Sequence, residues 1–365
     1  MFLAVLAARS ASASPVRPID IQRAGRGLST RGYLAAGQPV AGDPYLPQSW
    51  HLQASRVFDA WNVTRGDRRV VLAFVDSGID YHNPDIAPNL WRNFREIPGD
   101  HVDNDRNGFI DDIIGWNFVN GKWGVGVPDP LDRAGHGTFI SGIAAAAEGN
   151  GIGGAGVCPN CSIMTLRFLN HDGLGDTEDA ILGIRYAVHN GASVLNLSFA
   201  GEGYDKDLHD ALVEASARDI VVVAAAGNDG INNDKDEIYP ANYIFPNMLT
   251  VAATDPRGRL WENSNWGLRH VQIAAPGTDI IGPWFKAWDT GSGTSLAAPI
   301  VAAAAGLIRS ANPRLNAPQV VAILMSTVRH SIALEGKIRS AGVLDVGAAM
   351  RCAVTQGLPC IRRQF

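Results

Sequence analysis

Four polar residues in this chain stand in contexts that suit acyl transfer. Ser295 lies in Gly293-Thr294-Ser295-Leu296-Ala297-Ala298-Pro299, at the start of a predicted helix. Its small neighbours leave room for a substrate. A helix N-terminus also offers unpaired N–H groups and partial positive charge to a developing oxyanion. His136 sits between glycines in Gly135-His136-Gly137-Thr138, which leaves space on both sides of its imidazole. Asp76 directly follows an apolar run. A carboxylate there needs a partner, because burying an unpaired charge is costly, and a protonated imidazole would serve. Asn228, in Ala226-Gly227-Asn228, carries an amide donor. Nucleophile, base, orienting group and oxyanion donor are the four parts of serine-based peptide hydrolysis. Each residue also has a plain reading: helix N-cap, surface histidine, paired carboxylate and turn asparagine.

The elements around them argue for one architecture. Strands are predicted at Val70–Val75, Ser162–Leu169, Ser193–Phe199, Ile220–Ala225, Leu249–Ala253 and Val271–Ala274. They alternate with predicted helices at Thr138–Ala147, Asp176–His189 and Asp205–Arg218, and Ser295–Ser310 and Pro318–Val328 follow. An amphipathic stretch, Trp50–Trp61, precedes them. Short β-branched runs alternating with helices imply an α/β fold: a single doubly wound domain whose mostly parallel sheet is flanked by helices. Ligands of such sheets bind outside the carboxyl ends of the strands. Asp76, Ser198 and Asn228 all follow or end predicted strands, so they collect on one edge.

Jointly, these segments resemble the signatures of the subtilase family of serine peptidases, in that family's order. They are Val71-Leu72-Ala73-Phe74-Val75-Asp76-Ser77-Gly78-Ile79-Asp80, Gly135-His136-Gly137-Thr138 and Gly293-Thr294-Ser295-Leu296-Ala297-Ala298-Pro299; Val221 to Asn228 matches the segment bearing the family's asparagine. The resemblance runs from about Leu46 to Ala348. An α/β-hydrolase is excluded, since its serine lies in GxSxG and here residue 297 is Ala. The resemblance implies a subtilisin-like fold and a serine endopeptidase working through an acyl-enzyme. Ser295 would be the nucleophile, His136 the base, Asp76 its orienter and Asn228 the oxyanion donor. It further implies substrate bound as an added strand between Gly173-Leu174-Gly175 and Ser198-Phe199-Ala200-Gly201. Ala224, Ala225, Ala226 and Gly227 would wall the specificity pocket and Ile238 would floor it, favouring mid-sized apolar side chains. Phe139, Leu296 and Ile300 depart from the common family form without removing a catalytic atom.

A cation loop is legible in Asp103-Asn104-Asp105-Arg106-Asn107-Gly108-Phe109-Ile110-Asp111-Asp112. Asp103, Asp105, Asn107 and Asp111 alternate as in an EF-hand-like loop, Phe109 offers a carbonyl, and Gly108 permits the turn. Ile114 stands where a bidentate glutamate would be, so Asp111 or Asp112 must substitute. The plain alternative is a polar surface loop. By family resemblance a second calcium site combines Asp85 with the loop Glu148 to Gly154, including Asn150.

Composition bounds the rest. The chain has 365 residues, 46% hydrophobic and 18% charged, with a net charge of −5. Nucleic acid is not an expected partner, because no Lys/Arg run tracks a phosphate backbone. No uninterrupted apolar stretch approaches the roughly 20 residues of a membrane span. Expected partners are protein or peptide substrates, and the enzyme is expected to be a monomer. Residues 1–14 read either as a signal-like leader, implying secretion, or as an Ala/Ser-rich start. Residues 15–46 read as an arm or short pro-segment, 47–350 as the peptidase domain and 351–365 as a C-terminal tail. Cys158 with Cys161 and Cys352 with Cys360 form two local disulfides if the protein is exported, and are plain thiols otherwise. The rival function is a catalytically silent, calcium-stabilised binding module of the same fold.

Overall fold

The computed structural model describes residues 42–119, 126–285 and 287–355, together with the backbone of 17–18 and 22–23. Residues 1–14, most of the arm, Cys360 and the end of the tail lie outside the described residues.

A nine-stranded sheet organises the chain. Its order across the sheet is Arg329–His330, Gly342–Val343, Ile273–Pro276, Met248–Thr254, Val221–Ala225, Val194–Leu197, Val71–Asp76, Ser162–Arg167 and Gly115–Asn117. Every pairing is parallel except Arg329–His330 with Gly342–Val343. The first central strand, Val71–Asp76, is flanked by strands that come later in the chain on both sides. That makes a switch point, and it opens a crevice beyond the carboxyl end carrying Asp76.

Alternation along Val71–Asp76 feeds two cores. Leu72 and Phe74 pack in one cluster with the helix Thr294–Ala311, while Val71, Ala73 and Val75 pack in the other with Thr177–His189. Successive side chains of a strand point to opposite faces, so both faces must be apolar, which is why the strand sequence shows no polar gap. The helix Thr294–Ala311 is long and apolar enough to cross a bilayer, and 83% of it is buried inside the fold. Its composition reflects its place between the sheet and the helices His136–Ala145 and Val346–Val354.

The predicted strands and helices fall within a few residues of those observed. The amphipathic stretch Trp50–Trp61 forms two helices, Trp50–Ala54 and Val57–Trp61, broken where Arg56 adopts φ 55°. Unforeseen elements include Gly115–Asn117 and the antiparallel pair Ile280–Trp284 with Ala287–Ser292. These lack a long apolar run of their own: the first is held by pairing to Thr165–Arg167, the other two by pairing with each other.

Candidate active site

Asp76 and His136 meet at the mouth of the crevice. Asp76 ends its strand, His136 opens its helix, and both are buried, at 2% and 6% exposure. His136 Nδ1 lies 2.7 Å from Asp76 Oδ1. The same carboxylate oxygen accepts the Ser77 N–H at 2.7 Å. So close an approach needs Gly137: a Cβ there would fall 2.2 Å from the Gly78 carbonyl oxygen. The side-chain-free residue after His136 therefore lets the helix end reach the Asp76 loop.

Ser295 sits in the first turn of Thr294–Ala311, with its Oγ buried and not hydrogen-bonded in this structure. Its backbone carbonyl accepts the Ser198 hydroxyl at 3.2 Å, and Ser198 Oγ accepts Asn196 Nδ2 at 2.9 Å. Asn228 is tied to the same helix start. Its Oδ1 accepts the Thr294 N–H at 2.9 Å and the Thr294 hydroxyl at 2.8 Å. Two donors on the oxygen assign the amide's orientation and turn its NH₂ group away from Thr294. Gly227, at φ 108°, supports that turn; its N–H reaches Thr294 Oγ1 at 3.1 Å. Behind it Asn265 accepts the N–H groups of Asp229 (2.9 Å) and Ile231 (3.2 Å) and donates its backbone N–H to Gly227 O (2.8 Å). Asn265 is fully buried, and it grips the chain on either side of Asn228.

The other residues expected to line a cleft lie as follows. Phe199 contributes backbone only, since its ring is buried against Phe168 at a centroid distance of 4.9 Å. Phe199–Glu202, which includes Ala200 and Gly201, is the middle strand of a small antiparallel sheet between Ile238–Tyr239 and the arm residues Arg17–Pro18. Ile238 faces Gly227: a Cβ on that glycine would lie 2.7 Å from Ile238 Cδ1. Ala225 is fully buried at the end of its strand. Across the cleft, the Leu174 side chain is half exposed and its carbonyl accepts the Asn170 N–H, between Gly173 and Gly175.

Comparison with known proteins gives the arrangement a family. Residues 67–344 match the profile of the Subtilase family of S8 peptidases. This chain is a subtilase. It is 31% identical to subtilisin-like protease 1 of Plasmodium vivax over 88% of this chain and 54% of that protein. It is 36% identical to a thermophilic serine proteinase of Bacillus sp. (strain AK1), over 69% of this chain and 55% of that protein. The chain thus spans about half the length of these curated relatives. Among solved structures, it resembles proteases from Pseudoalteromonas arctica at a TM-score of 0.71 and 26% identity, covering 85% of this chain and 98% of that one.

The subtilase carries two acidic clusters away from the crevice. Glu96, Asp105 and Asp112 each bring an oxygen within 4.8 Å of the others. Asp112 is fully buried, and desolvation raises its pKa; Asn93, Asn107 and Tyr186 donate to its oxygens. Arg95 pairs with Asp105 at 3.0 Å. Asp103 and Asp111, both expected ligands, spend their carboxylates on backbone N–H groups: Asn107 and Gly108 for the first, Gly99 and His101 for the second. Phe109 anchors the loop by stacking edge-on against Trp116, Phe118 and Tyr186. Glu96 went unforeseen because it precedes the loop. Its oxygens accept the N–H groups of Asp105 and Asp111, each at 3.0 Å.

At the second cluster, Asn150 Nδ2 donates to Asp85 Oδ1 at 2.7 Å, and Gly154 N–H reaches Asp85 Oδ2 at 3.2 Å. Asp43 joins them, accepting Gly149 and Gly151 N–H groups at 2.7 and 3.1 Å. Burial pushes the Asp85 carboxyl up to about 7, and the Asp43 charge adds to this. Hard oxygen donors, crowded and partly desolvated, fit a calcium ion in chemistry at both places.

Proposed function

We propose that this subtilase is a serine endopeptidase, with Ser295 as nucleophile, His136 as general base, Asp76 as its orienter and Asn228 as oxyanion donor. The observation that carries this reading is the 2.7 Å contact of His136 Nδ1 with a buried Asp76 carboxylate. It favours the tautomer with the proton on Nδ1, which leaves Nε2 as the basic atom. Ser295 Oγ attacks the scissile carbonyl carbon while its proton passes to His136 Nε2. The imidazolium then returns that proton to the leaving amine as the C–N bond breaks. Water enters by the reverse sequence and releases the acyl group. The Asn228 NH₂, whose amide oxygen is held by Thr294, and the Ser295 N–H receive the oxyanion. The Ser295 Oγ to His136 Nε2 hydrogen bond forms when substrate fills the cleft, since catalytic hydrogen bonds are often made only in the complex.

Substrate binds as a strand against Phe199–Glu202, with the preferred apolar side chain near Ile238 and Gly227. The arm supports this track. Arg17 and Pro18 pair antiparallel with Ala200 and Phe199, and Gln22 and Arg23 pair with Ser292 and Gly291. Both pairings adjoin Ser295: one follows Ser198, which bonds the Ser295 carbonyl, and the other immediately precedes Gly293. The arm is thus a pro-segment that holds the substrate track until it is cut or withdrawn. Calcium would be held by Glu96, Asp105 and Asp112, and by Asp43, Asp85 and Asn150 with neighbouring carbonyls; bound there, it would offset the crowded negative charge. The Cys158–Cys161 disulfide supports an exported enzyme, since disulfides persist in oxidising compartments. Cys352 is also disulfide-bonded.

Labelling with a fluorophosphonate probe tests the reading, with Ser295→Ala as control, followed by casein hydrolysis. Labelling that disappears in the variant, together with casein cleavage, is the expected result. A folded, mature protein that takes no label would return the silent binding module.

A further inference from the structure

A buried carboxylate outside the four functional residues ties the two halves of the site together. Asp132 lies in the loop before His136 and is 4% exposed. Its Oδ1 accepts the Ser77 hydroxyl at 2.9 Å, the Ala134 N–H at 2.9 Å and the Gly135 N–H at 2.8 Å. Its Oδ2 accepts the Thr138 N–H at 2.9 Å and the Thr138 hydroxyl at 2.6 Å. These donors belong to the segments that carry Asp76 and His136. Ser77 gives its own N–H to Asp76 Oδ1, the oxygen that meets His136. Its hydroxyl, while donating to Asp132, accepts the N–H of Gly137 at 2.8 Å. Thr138 Oγ1 likewise accepts the Asp80 N–H at 2.9 Å. Main-chain bonds from Asp132 N–H to Ile79 O (3.1 Å) and from Ile79 N–H to Pro130 O (3.0 Å) complete the junction.

We infer that Asp132 is a positioning residue, acting through Ser77 and Thr138 to hold the Asp76 loop against the His136 helix start. The inference rests on the reading that Asp76, His136 and Ser295 carry the hydrolysis. The geometry makes a charged acceptor hard to replace. All five partners are donors, so both oxygens must accept. An asparagine has one oxygen, and either way round its NH₂ would face a group that can only, or already does, donate. The segments would then part, and the contact that sets His136 would loosen, while the substrate strand on Phe199–Glu202 is untouched. The expected signature is therefore a loss in kcat without a loss in KM.

The test uses the full chain with Asp132→Asn and Ser77→Ala, measuring kcat and KM on a chromogenic peptide per site titrated by a fluorophosphonate probe. Asp132→Asn should lower kcat about 100-fold and Ser77→Ala about 10-fold, with KM within about twofold, the scale set by an ångström of misplacement. In an Asp76→Ala background Asp132→Asn should cost nothing further, because the contact it serves is gone. A merely structural role would reduce the melting temperature and the titratable fraction but leave kcat per site unchanged. That outcome, or an equal loss in the Asp76→Ala background, overturns the inference. If the unmodified enzyme proves inactive, the hydrolytic reading falls first, and proton NMR decides the inference separately. The downfield proton of His136 Nδ1 should shift or vanish in Asp132→Asn, and an unmoved resonance overturns it. Should Asp132→Asn not fold, Ser77→Ala stands in, and unchanged kcat with an unmoved resonance has the same meaning.

Discussion

His51 should make this protein acid-labile, and replacing it should remove a defined part of that lability. The residue lies in the helix Trp50–Ala54, is 1% exposed, and its Nδ1 has no hydrogen-bond partner. Burial alone lowers its pKa from 6.5 to about 3. In the unfolded chain the imidazole protonates near 6.5, while the folded protein keeps it neutral. Between those values the unfolded state binds more protons, so stability falls as pH drops from 6.5 toward 3. At 1.36 kcal/mol per pH unit, acidification to pH 4 removes about 3 kcal/mol through this group alone. His51→Leu fills a similar volume without titrating. Urea unfolding at pH 7 and pH 4, in a Ser295→Ala background that prevents self-digestion, gives the comparison. Carboxylates titrate in both proteins and cancel in the difference. The parent should lose about 3 kcal/mol more than the variant on acidification. Parallel losses, within about 1 kcal/mol, would refute the claim that His51 is buried neutral.

Asn228→Ala should reduce kcat by about 10²–10³ with little change in KM, the scale known for one such donor in a family member; an equal rise in KM would mean a ground-state contact instead. Excess chelator should lower the melting temperature, since calcium at 100 times its Kd contributes about 2.7 kcal/mol to the native state alone. Asp112→Asn should abolish part of that response, and a chelator-insensitive parent would remove the calcium assignment. N-terminal sequencing should find the arm removed from active enzyme and retained in Ser295→Ala. Fully active enzyme with an intact arm would show that the arm does not obstruct the cleft.

The residues proposed to carry the chemistry were the most legible. Ser295, His136 and Asp76 lie at junctions where an apolar run meets small residues, and such junctions depend on neighbours in the chain. The parallel sheet was equally plain, because strands buried on both faces must be continuously apolar. What surrounds these residues was not legible. Glu96 joins Asp105 and Asp112 by a local fold-back of the chain that carries no ligand spacing, and Asp43 meets Asp85 only because separate loops converge. Asn107, chosen for its place in the loop, gives its amide N–H to Asp112, a contact that loop spacing does not reveal.

Local sequence determined the fold class, most strand and helix identities and the residues proposed to attack, take and deliver a proton. Burial periodicity and motif spacing act over a few residues and leave their mark there. Only the tertiary structure decided that Thr294 holds the Asn228 amide oxygen, that Asp132 clamps Ser77 to Thr138, and that Arg17–Pro18 lies along Phe199–Glu202. Each of those depends on a polar group finding its partner across strands whose order the chain sets by folding, and a buried polar group must find one wherever the fold places it.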